Sequence, residues 1–146
     1  MTFVHATCVA LRQGRSWRAV LLRGPSGAGK SDLALRLIEA GARLVADDQT
    51  HLAQKGGGLI ATAPPALAGL IEVRGVGIVK LSRTQLLASA PVALLVDLVA
   101  PDQVERLPEP TRETLQEVDV PRLALTPFEA SAVAKLRLAL GRIAAA

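Results

Sequence analysis

The eight residues Gly24-Pro25-Ser26-Gly27-Ala28-Gly29-Lys30-Ser31 follow the pattern G-x-x-x-x-G-K-[ST]. Glycines at this spacing let the backbone turn with its N–H groups pointing inward, which makes a nest for an anion. A helix starting at the end of the loop adds the positive end of its dipole. Lys30 has the length to reach the β- and γ-phosphates, and the Ser31 hydroxyl is suited to Mg²⁺. The chemistry implied is the binding of a nucleoside triphosphate with Mg²⁺. A plain glycine-rich turn would leave the Lys30-Ser31 pair without a reason.

Acidic groups form the second set. Asp47-Asp48 closes the next expected strand. Neighbouring carboxylates repel unless a cation or a proton lies between them. One could hold metal while the other takes a proton from an attacking hydroxyl; the alternative is a pair of surface turn aspartates. Glu72 stands among apolar residues before the turn Arg74-Gly75-Val76-Gly77. Buried there it would need Arg or metal, so a salt bridge and a site role both stay open. His5, inside an expected strand, reads by itself as a satisfied core histidine, and His51 receives no assignment. Cys8 lies in the apolar run Ala6–Ala10 and reads as a small buried residue rather than a nucleophile.

These groups need elements to hold them. Residues 2–10 and Arg18–Leu22 read as strands, separated by a turn at Gln13–Ser16. The second strand stops at Gly24-Pro25. Leu33, Ala34, Leu37 and Ile38 have helical spacing over residues 30–40, and Gly41 follows as a terminator. Leu44-Val45-Ala46 is a short strand, and His51–Ala53 with Leu59–Thr62 flank a hairpin turn. Ala66–Leu70 reads as a helical turn, and Ile71–Val73 and Ile78–Leu81 as strands. Val92–Val99 reads as a central strand, 101–117 as a long surface loop and Val118–Leu125 as the last strand. Thr126-Pro127-Phe128-Glu129 has the form of a capped helix start, followed by a face of Val133, Leu136, Leu140 and Ile143. The result is an α/β core, a mixed sheet with few flanking helices.

Composition narrows the classes. The 146 residues suit one domain, 1–146, and 50% are apolar, so a core is affordable. Two Phe, one Trp and no Tyr leave an aliphatic core and no stacking platform for nucleic acid. The net charge of +4 is spread along the chain and reads as a solvated surface. One cysteine excludes an intramolecular disulfide. No signal peptide and no apolar run near the roughly 20 residues that span a bilayer are seen, so a cytoplasmic protein without a membrane role is expected.

The elements also stand in a particular order: Val4-His5-Ala6, Gly24–Ser31, Gly41–Asp48, Ala63-Pro64-Pro65 and Leu70–Gly77, with Glu72-Val73-Arg74-Gly75-Val76-Gly77-Ile78 as the most distinctive run. This order resembles the catalytic domain of the bacterial HPr kinase/phosphorylase, in a short, single-domain form. The resemblance implies a P-loop core related to phosphoenolpyruvate carboxykinase. It implies ATP and Mg²⁺, phosphorylation of a serine on an HPr-like phosphocarrier protein, reversal with inorganic phosphate, and a homo-oligomer, hexameric in the family. Carried over by residue, it implies phosphate binding by Lys30, Mg²⁺ ligation by Ser31, and a proton acceptor at Asp48. Asp47 and Glu72 become metal-associated carboxylates, and His5 and Arg106 catalytic groups. The segment Pro127–Ala132 departs from the family, having an acid where the family has base. Two other classes compete: a P-loop kinase of a small metabolite, and a nucleotide-sensing regulator that would not need Asp48.

Overall fold

Alternation explains the central layer. In β2 (Ala6–Gln13) and β3 (Ser16–Arg23), Val9, Leu11, Val20 and Leu22 face one side, and Ala6, Cys8, Ala10, Ala19 and Leu21 face the other; all are buried. Strands buried on both faces read as continuous apolar runs, which these do. The computed structural model describes residues 2–145. The other strands are β1 (Thr2–Val4), β4 (Arg43–Ala46), β5 (Thr50–Lys55), β6 (Gly58–Thr62), β7 (Leu70–Val73), β8 (Gly77–Lys80), β9 (Ser89–Leu98), β10 (Thr111–Leu115) and β11 (Val118–Leu125). The helices are α1 (Lys30–Glu39) and α2 (Ala132–Ala145).

β9 pairs in parallel with β3 and with β11, while β2 runs antiparallel between β3 and β4. β10 extends this sheet beyond β11. The first residues of β9 turn away to pair with β6, which carries β5 and β1 into a curled second layer. β7 and β8 form a separate two-stranded hairpin. Helices α1 and α2 cover one face of the sheet, where Leu33, Leu37, Leu136 and Leu140 are buried. Burying one such leucine stabilises by about 1.5–3 kcal/mol before entropy is counted. No described helix is long and apolar enough to cross a membrane.

α1 begins and ends as its sequence dictates. Gly29 caps it in a left-handed conformation, φ +98°. At the far end the Ala42 N–H donates to Leu37 O and the Gly41 N–H to Ile38 O, a Schellman closure that needs the positive φ of Gly41.

Three expectations change. The strand expected over 2–10 is broken by a bend at His5 into β1 and β2. The loop expected over 101–117 contains β10, paired along its length with β11; its alternating charged residues hid it. The hairpin turn between them, Gln116-Glu117, has φ +48° and +65° at residues that give no turn signal. Finally, α2 starts at Ala132 rather than at the Thr126 cap. Thr126 Oγ1 instead donates to Val99 O, tying the end of β11 to that of β9.

Strand direction places the site. β3, β4, β9 and β11 all end at the edge where β2 begins, so that edge gathers Gly24–Ser31, Asp47-Asp48, Val99 and the 126–131 segment. Loops after the carboxyl ends of parallel strands are the usual ligand-binding edge of such sheets.

Candidate phosphate-binding and phosphotransfer site

The loop after β3 is shaped by two steric facts. A Cβ on Gly24 would lie 2.9 Å from Ala28 Cβ, so the loop closes only around hydrogen there. Gly29 combines φ +98° with a Cβ position 2.7 Å from Phe128 Cζ. The turn is fixed by the Ala28 N–H donating to Pro25 O at 3.0 Å. Lys30 is buried, and its ammonium donates to Gly24 O at 2.7 Å and lies 3.7 Å from Asp48 Oδ1. It is thus held at the loop's mouth, between a backbone carbonyl and a carboxylate.

Asp47 and Asp48 have different surroundings. Asp47 Oδ1 accepts the Ser31 hydroxyl at 2.7 Å and the Thr7 hydroxyl at 3.0 Å, and Oδ2 accepts the Glu72 N–H at 2.9 Å. All three donors are neutral, so none of them is a counter-charge to the carboxylate. Asp48 is left-handed, φ +65°, and its side chain is 67% exposed. An acceptor can approach it from solvent.

The cleft, about 290 Å³, is lined by loop residues with Asp48, Glu72, Val73, Arg74 and Phe128 among its walls. Glu72 is exposed and makes no ion pair among the described residues, so the salt-bridge alternative fails and the cleft wall is its place. The donors Ser31 Oγ and the Asp47, Asp48 and Glu72 carboxylates are hard oxygens, which fit Mg²⁺. Among the described residues no three His, Cys, Asp or Glu side chains converge as a protein-only cation cage. A Mg²⁺ held largely by phosphates and one or two carboxylates needs none.

Two expected site residues are not brought in. His5 is exposed at the bend before β2, against the edge of the Phe3 ring at 5.6 Å between centroids. It is therefore no core histidine; it shares the site's edge of the sheet but does not line the cleft. Arg106 is exposed in the segment before β10, also outside the cleft lining. Cys8 is fully buried, and burial pushes its thiol well above the usual range, so it is no nucleophile.

Sequence reasoning missed Thr7 and Phe128. A threonine in a strand carries no signal, and an aromatic read as part of a helix start does not announce a cleft wall. It also missed an ionic cluster at the root of the loop. Arg23, the residue before Gly24, contacts Asp97 at 2.7 Å and Glu113 at 2.6 Å, and Arg122 contacts the same two carboxylates at 2.6 and 3.3 Å.

Comparison with known proteins bears on the family and the fold. The family model "HPr Serine kinase C-terminal domain" matches residues 2–136. The HPr kinase/phosphorylase of Limosilactobacillus reuteri is 38% identical over 115 residues, covering 73% of this chain and 36% of that protein. That of Exiguobacterium sibiricum is 49% identical over 61 residues, 41% of this chain and 20% of that one. The chain thus spans only a minor part of the length of these curated relatives. Among solved structures, the Hpr(Ser) kinase/phosphatase from Coxiella burnetii superposes with a TM-score of 0.82 at 26% identity, covering 97% of this chain and 89% of that one.

Proposed function

Because the chain belongs to the HPr serine kinase C-terminal domain family, we propose that it is a phosphotransferase moving the γ-phosphoryl group of ATP, with Mg²⁺, to a serine of an HPr-like phosphocarrier protein. The observation that carries this reading is the meeting of Lys30, Ser31 and Asp48 in the wall of one open cleft, with Asp47 bonded to Ser31 behind them. The loop Gly24–Ser31 binds the phosphates through its backbone N–H groups. Ser31, Asp47 and Glu72 are the residues that would hold Mg²⁺, which offsets phosphate charge when bound. Lys30 moves from Gly24 O to the phosphates, and its charge counters that developing on the transferring group.

Asp48 accepts the proton of the incoming serine hydroxyl. Its exposure favours a bulky acceptor over a small metabolite enclosed in a pocket. In the reverse direction inorganic phosphate attacks the phosphorus of phosphoserine, the bond to the serine oxygen breaks as Asp48 returns the proton to that oxygen, and the phosphoryl group leaves as pyrophosphate. His5 and Arg106, outside the cleft lining in this structure, belong to the proposed catalytic set by resemblance alone, and full transfer by either alanine variant would remove that residue. A homo-oligomer is part of the reading, and light scattering of the purified chain tests it.

The experiment is incubation of the chain with γ-labelled ATP, Mg²⁺ and an HPr-like protein, followed by intact-mass and phosphosite analysis. One phosphate on a serine is expected. Asp48→Asn should keep nucleotide affinity and lose transfer by about a hundredfold or more. Full transfer by that variant would remove Asp48 from the proton-acceptor role. Nucleotide binding without transfer to any protein would favour a sensor.

A further inference from the structure

Among the described residues, Thr7 is the one fully buried hydroxyl that touches the two aspartates. It lies on β2, one residue before the point where the β2–β4 register shifts between Cys8 and Val9. The shift carries the end of β4 past Cys8, so that Asp47 and Asp48 come level with Thr7. The side chain has no exposure to solvent. Valine has the same shape and suits a buried strand, so a hydroxyl here needs partners. It has both kinds. Thr7 Oγ1 donates to Asp47 Oδ1 at 3.0 Å and accepts the Asp48 N–H at 3.1 Å.

The two bonds act on different properties of the site. The first shares Asp47 Oδ1 with the Ser31 hydroxyl at 2.7 Å, so Thr7 sets the carboxylate's orientation toward the phosphate loop. The second holds the backbone of Asp48 in a left-handed conformation, φ +65°, which a non-glycine residue adopts only when something fixes it. That conformation directs the Asp48 carboxylate to within 3.7 Å of the Lys30 ammonium. Among the described residues nothing else accepts the Asp48 N–H.

We propose that Thr7 is a positioning residue that locks Asp47 and Asp48 in register with the phosphate loop, acting through both bonds of its buried hydroxyl. The claim about turnover rests on the phosphotransfer reading above; the claim about geometry does not. Thr7 would not touch nucleotide or acceptor. Its loss should therefore lower turnover and leave nucleotide affinity in place.

The test compares Thr7→Val with Thr7→Ser in the full chain. Thr7→Val keeps the shape and removes both bonds; Thr7→Ser keeps the hydroxyl. Two readouts are taken: hydrogen exchange at the Asp48 amide, and kcat and KM for Mg²⁺-ATP with the HPr-like acceptor. In Thr7→Val the Asp48 amide should exchange about tenfold faster or more, and kcat should fall about ten- to a hundredfold with KM within about twofold. Thr7→Ser should recover most of both. Unchanged Asp48 exchange in Thr7→Val, or a Thr7→Ser variant as impaired as Thr7→Val, would overturn the assignment. If the wild-type chain transfers nothing to the acceptor, the function reading fails, and exchange at the Asp48 amide still decides the role of Thr7.

Discussion

Asp47 and Asp97 make an instructive pair. Each carboxylate stands at the end of a strand on the same edge of the sheet, close to the phosphate loop. Asp97 belongs to β9, the parallel neighbour of β3, and its side chain is only 17% exposed. It is gripped by Arg23 at 2.7 and 3.1 Å and by Arg122 at 2.6 Å. Asp47 meets two hydroxyls and one amide, with no cation in contact among the described residues. A carboxylate already neutralised by guanidinium has no charge left for a metal. One held by neutral donors is oriented and remains available. Charge partners, more than position in the fold, separate the structural acid from the one proposed to function. The Arg23–Asp97 pair anchors the residue before Gly24 to β9 and, through Glu113, to β10, so the structural acid still serves the loop by fixing its root.

The sharpest way to break the comparison is the same substitution at both places. Asp47→Asn keeps the shape but turns one acceptor into a donor, facing hydroxyls or the Glu72 N–H. Substitutions that disturb the support of metal ligands weaken metal-dependent activity about ten- to a hundredfold. The Mg²⁺ concentration giving half-maximal transfer should rise accordingly, with little change in the urea midpoint. Asp97→Asn should do the opposite. Transfer per folded molecule should hold, while stability falls by about 1–2 kcal/mol, a buried-pair value reduced because the arginines are partly in water. Equal effects of both variants on Mg²⁺ dependence would remove the distinction.

A smaller effect follows from pH. Burial by itself raises Asp97, yet the hydrogen bonds and charges of Arg23 and Arg122 together hold it below the usual range. The Arg23 hydrogen bond leads in holding Glu113 down as well, and the carboxylates hold Arg23 protonated. A depressed carboxylate contributes stability that is fully present above its unfolded value and is lost as pH falls through its folded value. The window therefore lies at and below the ordinary values of 3.8 for Asp and 4.5 for Glu. Urea midpoints of the wild type and of Asp97→Asn should differ at pH 7 and converge as pH is lowered toward 3. A constant difference would show that the charge on Asp97 is not what the cluster uses.

How much was legible follows from which signals are local. The phosphate loop, α1 and its Gly41 closure are written in consecutive residues, because glycine conformations and helical spacing need no distant partner. Asp47-Asp48 was visible as a pair. Its division of labour was not, since it depends on Thr7, 40 residues away along the chain. The ionic cluster was illegible for the same reason, with Arg23 and Glu113 separated by 90 residues. Arg106 and His5 were named by resemblance alone, and packing places neither in the cleft lining. β10 was lost because an exposed edge strand carries charge on its open side, which reads as loop.

The two hairpin turns bring this to the scale of single residues. β5 and β6 are joined by Gly56-Gly57, φ +58° and +79°, and β10 and β11 by Gln116-Glu117, φ +48° and +65°. The backbone is nearly the same, and only the first turn could be read from sequence. Gln116 and Glu117 hold a left-handed conformation that costs a non-glycine residue about 1–2 kcal/mol. The pairing of β10 with β11 and the grip of Arg23 and Arg122 on Glu113 must offset it. Replacing Gln116-Glu117 with Asn-Gly, the preferred residues for this turn, should therefore stabilise the chain by about 1 kcal/mol and leave phosphotransfer unchanged. Glycine also loosens the unfolded chain, which trims the gain. A raised urea midpoint at constant slope would show that the β10–β11 turn is imposed by tertiary pairing against local preference. No gain would mean that Gln116 and Glu117 make contacts worth as much as the strain they carry.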